Sequence, residues 1–127
     1  MPLTKKSYHF DFFSSGFDGV TCKVDLKAPR FSKEPELRVR FLNSTGAIIA
    51  CKAEGSPNPK IEWLKEDGSR LIEASNFRQI GSDGSLVFLP FSNFQYNQAI
   101  HSATYKCIAS NSVGRLESRP VQVQASK

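Results

Sequence analysis

The run His101-Ser102-Ala103-Thr104-Tyr105-Lys106-Cys107-Ile108-Ala109 decides the fold. Ala103, Tyr105, Cys107 and Ala109 fall on one side of a period of two, and Thr104, Lys106 and Ile108 on the other. That is the pattern of a half-buried β-strand, whose side chains point alternately to the two faces of a sheet. The same alternation occurs upstream, where Ala47, Ile49, Cys51 and Ala53 share one face of a strand predicted over residues 46–54. That strand stops at Gly55-Ser56-Pro57-Asn58-Pro59, a cluster of turn formers. In both strands a cysteine sits on the apolar side.

Further strands lie between and beyond these two. Ile61, Trp63 and Lys65 alternate until Asp67-Gly68, a tight-turn signal, although Arg70 and Leu71 also fit the start of a longer loop. Residues 77–80 read as a short strand and Ser82-Asp83-Gly84 as a turn. Leu86, Phe88 and the later Phe91 then form an inward-facing set. Residues 111–114 turn the chain, and Val121 and Val123 alternate with Gln122 and Gln124 in a last strand. With residues 38–41 there are about seven strands spaced by roughly 8–12 residues and no convincing helix, which predicts an all-β, two-sheet antiparallel sandwich. The first 28 residues differ. Phe10, Phe12, Phe13 and Phe17 supply four of the ten Phe without a sustained alternation. Residues 1–28 therefore read as an extension, either laid on the sandwich by its aromatics or foreign to it, and residues 29–125 as the domain.

Composition narrows the function. At 127 residues the chain is one domain's length, and 39% hydrophobic with 23% charged residues is too apolar for wholesale disorder. The apolar residues are too dispersed for a membrane span of about 20 residues. The first twenty residues are broken by Lys5, Lys6, His9, Asp11 and Asp18, so no secretory signal is read there; an extracellular fold would make the chain a fragment of a longer product. The formal charge of +5 is spread out. Its densest stretches are Lys5-Lys6 and Arg38-Val39-Arg40, with no basic block of the kind that binds nucleic acid.

Cys51, Trp63 twelve residues on, and Tyr105 two residues before Cys107 resemble the core of an immunoglobulin domain. Residues 46–123 resemble the I-set branch. Gly84-Ser85-Leu86-Val87-Phe88-Leu89-Pro90-Phe91 and Ile100-His101-Ser102-Ala103-Thr104-Tyr105-Lys106-Cys107 are similar to the first immunoglobulin module of the arthropod Down syndrome cell adhesion molecules. Phe31-Ser32-Lys33-Glu34-Pro35 and Phe41-Leu42-Asn43-Ser44-Thr45-Gly46-Ala47 are similar to its opening. The common immunoglobulin pattern has Asp where this chain has His101; in the adhesion-molecule branch His is normal there, so the departure sharpens the resemblance.

The resemblance implies a Greek-key sandwich with a Cys51–Cys107 disulfide joining its sheets, Trp63 packed on the bridge and the Tyr105 hydroxyl tying down a corner. A bridge closing a loop of that length is worth about 4 kcal/mol on the loop-entropy estimate. Two reduced, buried thiols in an intracellular filament domain are the competing reading. A bridged Cys107 is no thiolate, so it forms no nucleophile–base pair with His101. His9, Cys22 and His101 are too far apart in sequence for a zinc site, and Gly81-Ser82-Asp83-Gly84 lacks the Lys and helix of a phosphate loop. No enzyme activity, cofactor, metal or small-molecule substrate is expected. Cys22 reads as a free thiol, a feature foreign to the domain, or a tether.

Three surface features remain. Asn43-Ser44-Thr45 is a permitted sequon and marks Asn43 for a glycan, if the chain enters the secretory pathway. Ile48, Val87 and Leu89 fall on the outward halves of two strands that neighbour each other in this fold, so they are expected to form an exposed apolar cluster that binds protein. Leu64 with Ile108, beside Glu62 and Lys106, is a smaller candidate on the other sheet, with Arg78, Glu62 and Lys106 as rim charges. The resemblance implies a cell-surface adhesion module binding a second copy of itself, in neuronal wiring or arthropod immunity. An intracellular filament spacer and a secreted immune-receptor fragment that binds foreign or carbohydrate ligands are the alternatives.

Overall fold

The computed structural model describes residues 25–72 and 75–126. Two layers of strands face each other across an apolar core. In the first layer β1 (Lys27–Lys33) runs antiparallel to β4 (Lys52–Ser56), and β3 (Ala47–Ile49) is antiparallel to β7 (Leu86–Phe88), which also pairs with β6 (Arg78–Ile80). The second layer has the order β2 (Arg38–Phe41), β10 (Val121–Ala125), β8 (Ser102–Ser110), β5 (Lys60–Leu64), with β9 (Arg115–Glu117) also on β8.

Pro35 is buried where the chain leaves β1 in one layer and enters β2 in the other. Proline has no N–H to leave unpaired, which suits it to such a break. Arg119 holds the crossing, donating from Nε to the Pro35 carbonyl at 3.0 Å. β2 then pairs in parallel with β10, the one parallel ladder among the described strands.

The core assembles from the predicted inward faces. Cys51 and Cys107 are joined by a disulfide with Cα atoms 6.5 Å apart, and Trp63 lies beside them at 0% exposure. The indole Nε1 donates to the Gly84 carbonyl at 2.7 Å, so this buried ring leaves no polar atom unpaired. Phe88 meets Tyr105 edge-on and Phe41 at a tilt, each with ring centroids 5.5 Å apart.

Four local features differ from the sequence reading. The strand predicted over 46–54 is two, β3 and β4, interrupted at Ala50 and Cys51, because its halves pair with different neighbours, β7 and β1. β9 was not expected: Arg115, Leu116 and Glu117 are all exposed and carry no alternation. One helical turn, α1 (Gln98–His101), precedes β8, capped where the Asn97 side chain accepts from the Ala99 N–H at 3.0 Å. β1 begins at Lys27, two residues inside the expected extension. Cys22 and the four N-terminal Phe lie outside the described residues.

Candidate functional site

The corner entering β8 is built around His101 and Tyr105. The Tyr105 hydroxyl donates to the Ile100 carbonyl and accepts from Arg78 Nη1, both at 2.8 Å. Arg78, expected as a rim charge, is therefore an internal partner of this corner. Burial raises the Tyr105 pKa, against the opposing pull of Arg78. His101 is fully buried, stacked on Phe91 and bordered by Phe77 and Tyr96. Its Nδ1 accepts from the Asn97 N–H at 2.9 Å, which places the proton of the neutral ring on Nε2. Nε2 has no hydrogen-bond partner among the described residues. Burial first, and Arg78 second, lower the His101 pKa.

On the first layer, Ile48 stands directly opposite Val87, and Val87 opposite Gln79, across β3, β7 and β6. Ile48 is 73% exposed, while Val87 and Leu89 are partly buried. The register thus sets Ile48 beside Val87, with Ile48 the prominent member, and Leu89 follows just past the end of β7.

The second layer corrects the smaller candidate. Leu64 is partly buried, but Ile108 is 2% exposed and offers no contact surface. In register it lies between Glu62 of β5 and Glu117 of β9. Glu62 pairs with Lys60 and Arg70, and Glu117 with Lys106 and Arg115, so long charged side chains close over it. Burial of Ile108 depends on β9, whose presence the alternation of β8 does not reveal.

Asn43 sits where the loop after β2 meets the segment after β7. Its Nδ2 donates to the Phe91 carbonyl at 3.1 Å and to Asn93 Oδ1 at 2.9 Å. A glycan attached at Nδ2 takes the place of one of these hydrogens.

Among the described residues no three His, Cys, Asp or Glu side chains converge on a metal-sized site, and no helix is long and apolar enough to cross a membrane. A disulfide-pinned two-sheet sandwich, with its Trp and Tyr in the core, defines an immunoglobulin-type domain. The chain belongs to the immunoglobulin I-set domain family, which matches residues 29–123. It is 47% identical over 103 residues to cell adhesion molecule Dscam2 of Drosophila melanogaster, covering 81% of this chain and 5% of that protein. It is 48% identical over 102 residues to Dscam1 of the same fly, covering 80% and 5%. The crystal structure of the N-terminal four Ig domains of Dscam1 isoform 7.44 superposes with a TM-score of 0.77 at 48% identity, covering 81% of this chain and 26% of that one. The chain thus spans about one-twentieth of the curated relatives it matches.

Proposed function

We propose that the domain is a non-enzymatic recognition module of a cell-surface adhesion receptor and that it binds a second copy of itself through the face formed by β3 and β7. The Ile48–Val87 pair carries this reading. An isoleucine 73% exposed, in register with an outward valine, is an apolar anchor on the outer face of its sheet. A strand face also suits a two-fold contact, since the same patch is presented by both copies. Similarity to adhesion molecules supports the class of protein, and the disulfide supports an extracellular setting.

Beads coated with the chain test the self-contact. Ile48→Asp with Val87→Lys is expected to abolish clustering while the melting transition stays cooperative. Ile72→Lys, at a residue 80% exposed and outside both β3 and β7, is expected to leave clustering intact. Clustering that survives Ile48→Asp/Val87→Lys, or that fails equally in Ile72→Lys, overturns the reading.

A further inference from the structure

The sequence holds seven arginines, and five of them are engaged. Arg30, Arg70 and Arg115 make ion pairs, Arg78 binds Tyr105, and Arg119 binds the Pro35 carbonyl. Arg38 and Arg40 are exposed and make no side-chain hydrogen bond or ion pair among the described residues. Both lie on β2, two residues apart. Val39 and Phe41 pack on the core, so Arg38 and Arg40 project from the outer face. Two residues along a strand place their Cα atoms about 7 Å apart.

The parallel ladder sets each arginine beside a glutamine, Arg38 against Gln122 and Arg40 against Gln124. The next ladder continues the rows to Thr104 and Ser102 on β8. These side chains line an open groove of about 470 Å³, closed at one end by Glu66, which accepts from the Thr104 N–H at 3.1 Å. Two guanidiniums without counterions thus flank a floor of amides and hydroxyls, with one carboxylate at its end.

We propose that this groove binds an anionic oligosaccharide, a sugar chain bearing sulfate or carboxylate groups. A guanidinium grips a carboxylate or sulfate with two parallel N–H bonds, and weak hydration lets it do so at a surface where lysine does less. The Gln122 amide and the Ser102 and Thr104 hydroxyls match the hydroxyls of a sugar. Val123 and Ala103, the apolar residues of the groove, are buried to 1% and 8% and point to the core, so an acidic peptide finds no pocket for its side chains. The groove lies on the layer opposite the β3–β7 face, and the proposal stands independently of self-association.

A heparin-derived hexasaccharide is the probe, titrated calorimetrically against the full chain, with its desulfated form and hexaglutamate as comparisons. Arg38→Gln/Arg40→Gln is expected to weaken binding about tenfold or more. Arg30→Gln/Lys33→Gln removes the same charge from exposed positions of β1 on the other layer and is expected to change it less than about twofold. The bound sulfated probe is expected to shift the Gln122 side-chain amide resonances. Equal losses in the two double variants mean general attraction to a basic protein and overturn the site. Absence of binding by the sulfated probe, or hexaglutamate binding as tightly, overturns the ligand class.

Discussion

His101 stacks on Phe91 with ring centroids 3.8 Å apart and 14° between the planes. A ring held this way, at 0% exposure and with its Nδ1 committed as an acceptor, is neutral in the folded domain. A second proton would cost the Asn97 hydrogen bond and bury a cation near Arg78.

The folded pKa of His101 therefore lies below its ordinary value of 6.5. Below pH 6.5 the unfolded chain takes up a proton that the folded domain refuses, so stability is full above that pH and falls as the pH drops toward the folded pKa. The loss is at most about 1.4 kcal/mol per pH unit from one group. Asp67 and Asp83, lowered from 3.8 mainly by hydrogen bonds from Ser69 and Ser85, act only in more acidic solution. Melting curves between pH 7.5 and 5 are expected to show a decline in the natural chain and a flatter profile in His101→Phe. Parallel profiles would remove His101 as the cause.

The Arg78 to Tyr105 hydrogen bond extends the same corner. Tyr105→Phe removes both hydrogen bonds of the hydroxyl and is expected to cost about 1–3 kcal/mol in urea unfolding. Arg78→Met keeps the bond to Ile100 and is expected to cost less. It also withdraws the cation beside His101; removing that repulsion raises the folded pKa of His101 toward 6.5, so less stability is lost on acidification and the expected result is a shallower decline. An unchanged slope in Arg78→Met would show that Arg78 does not act on His101.

Two glycines with positive φ separate strain from collision. Gly68, at φ 88°, has nothing within 4 Å of an added Cβ, whereas at Gly46, φ 69°, a Cβ runs into the Phe88 carbonyl oxygen. Gly68→Ala is expected to cost about 1–2 kcal/mol, the price of the left-handed backbone alone. Gly46→Ala is expected to cost about 3 kcal/mol or more, because β3 must also move off β7. Equal midpoint shifts in urea would refute the collision.

Period-two alternation was enough to find Cys51, Trp63, Tyr105 and Cys107, all at 0–1% exposure, since each side chain's direction follows from its own strand. What alternation does not carry is lateral neighbours. Ile108 faces outward on β8 yet is buried, because β9 and the ion pairs of Glu62 and Glu117 flank it. Arg78 reads as a surface charge until β6 is set against the Tyr105 hydroxyl. Arg38-Val39-Arg40 is an unremarkable basic pair until the parallel ladder, across 84 positions from Arg38 to Gln122, adds amides beside it. Pairing between strands distant in sequence decided each of these cases, and no local pattern encodes it.

Asn43 offers a test in which a modification competes with a hydrogen bond. Expressed through a secretory pathway, the chain is expected to carry an N-glycan there, read as a mass loss on treatment with peptide N-glycosidase; unchanged mass excludes it. The glycosidic bond takes one Nδ2 hydrogen, and the bond to Asn93 is the exposed one, whereas that to the Phe91 carbonyl is partly buried and costlier to leave unmade. The Asn93 bond is therefore the one surrendered. Asn93→Ala is expected to destabilise the unglycosylated domain by about 0.5–1.5 kcal/mol and the glycosylated domain hardly at all. The same loss in both forms would mean that the glycan displaces the Phe91 contact instead, and the loop after β2 would then be expected to detach from the segment following β7.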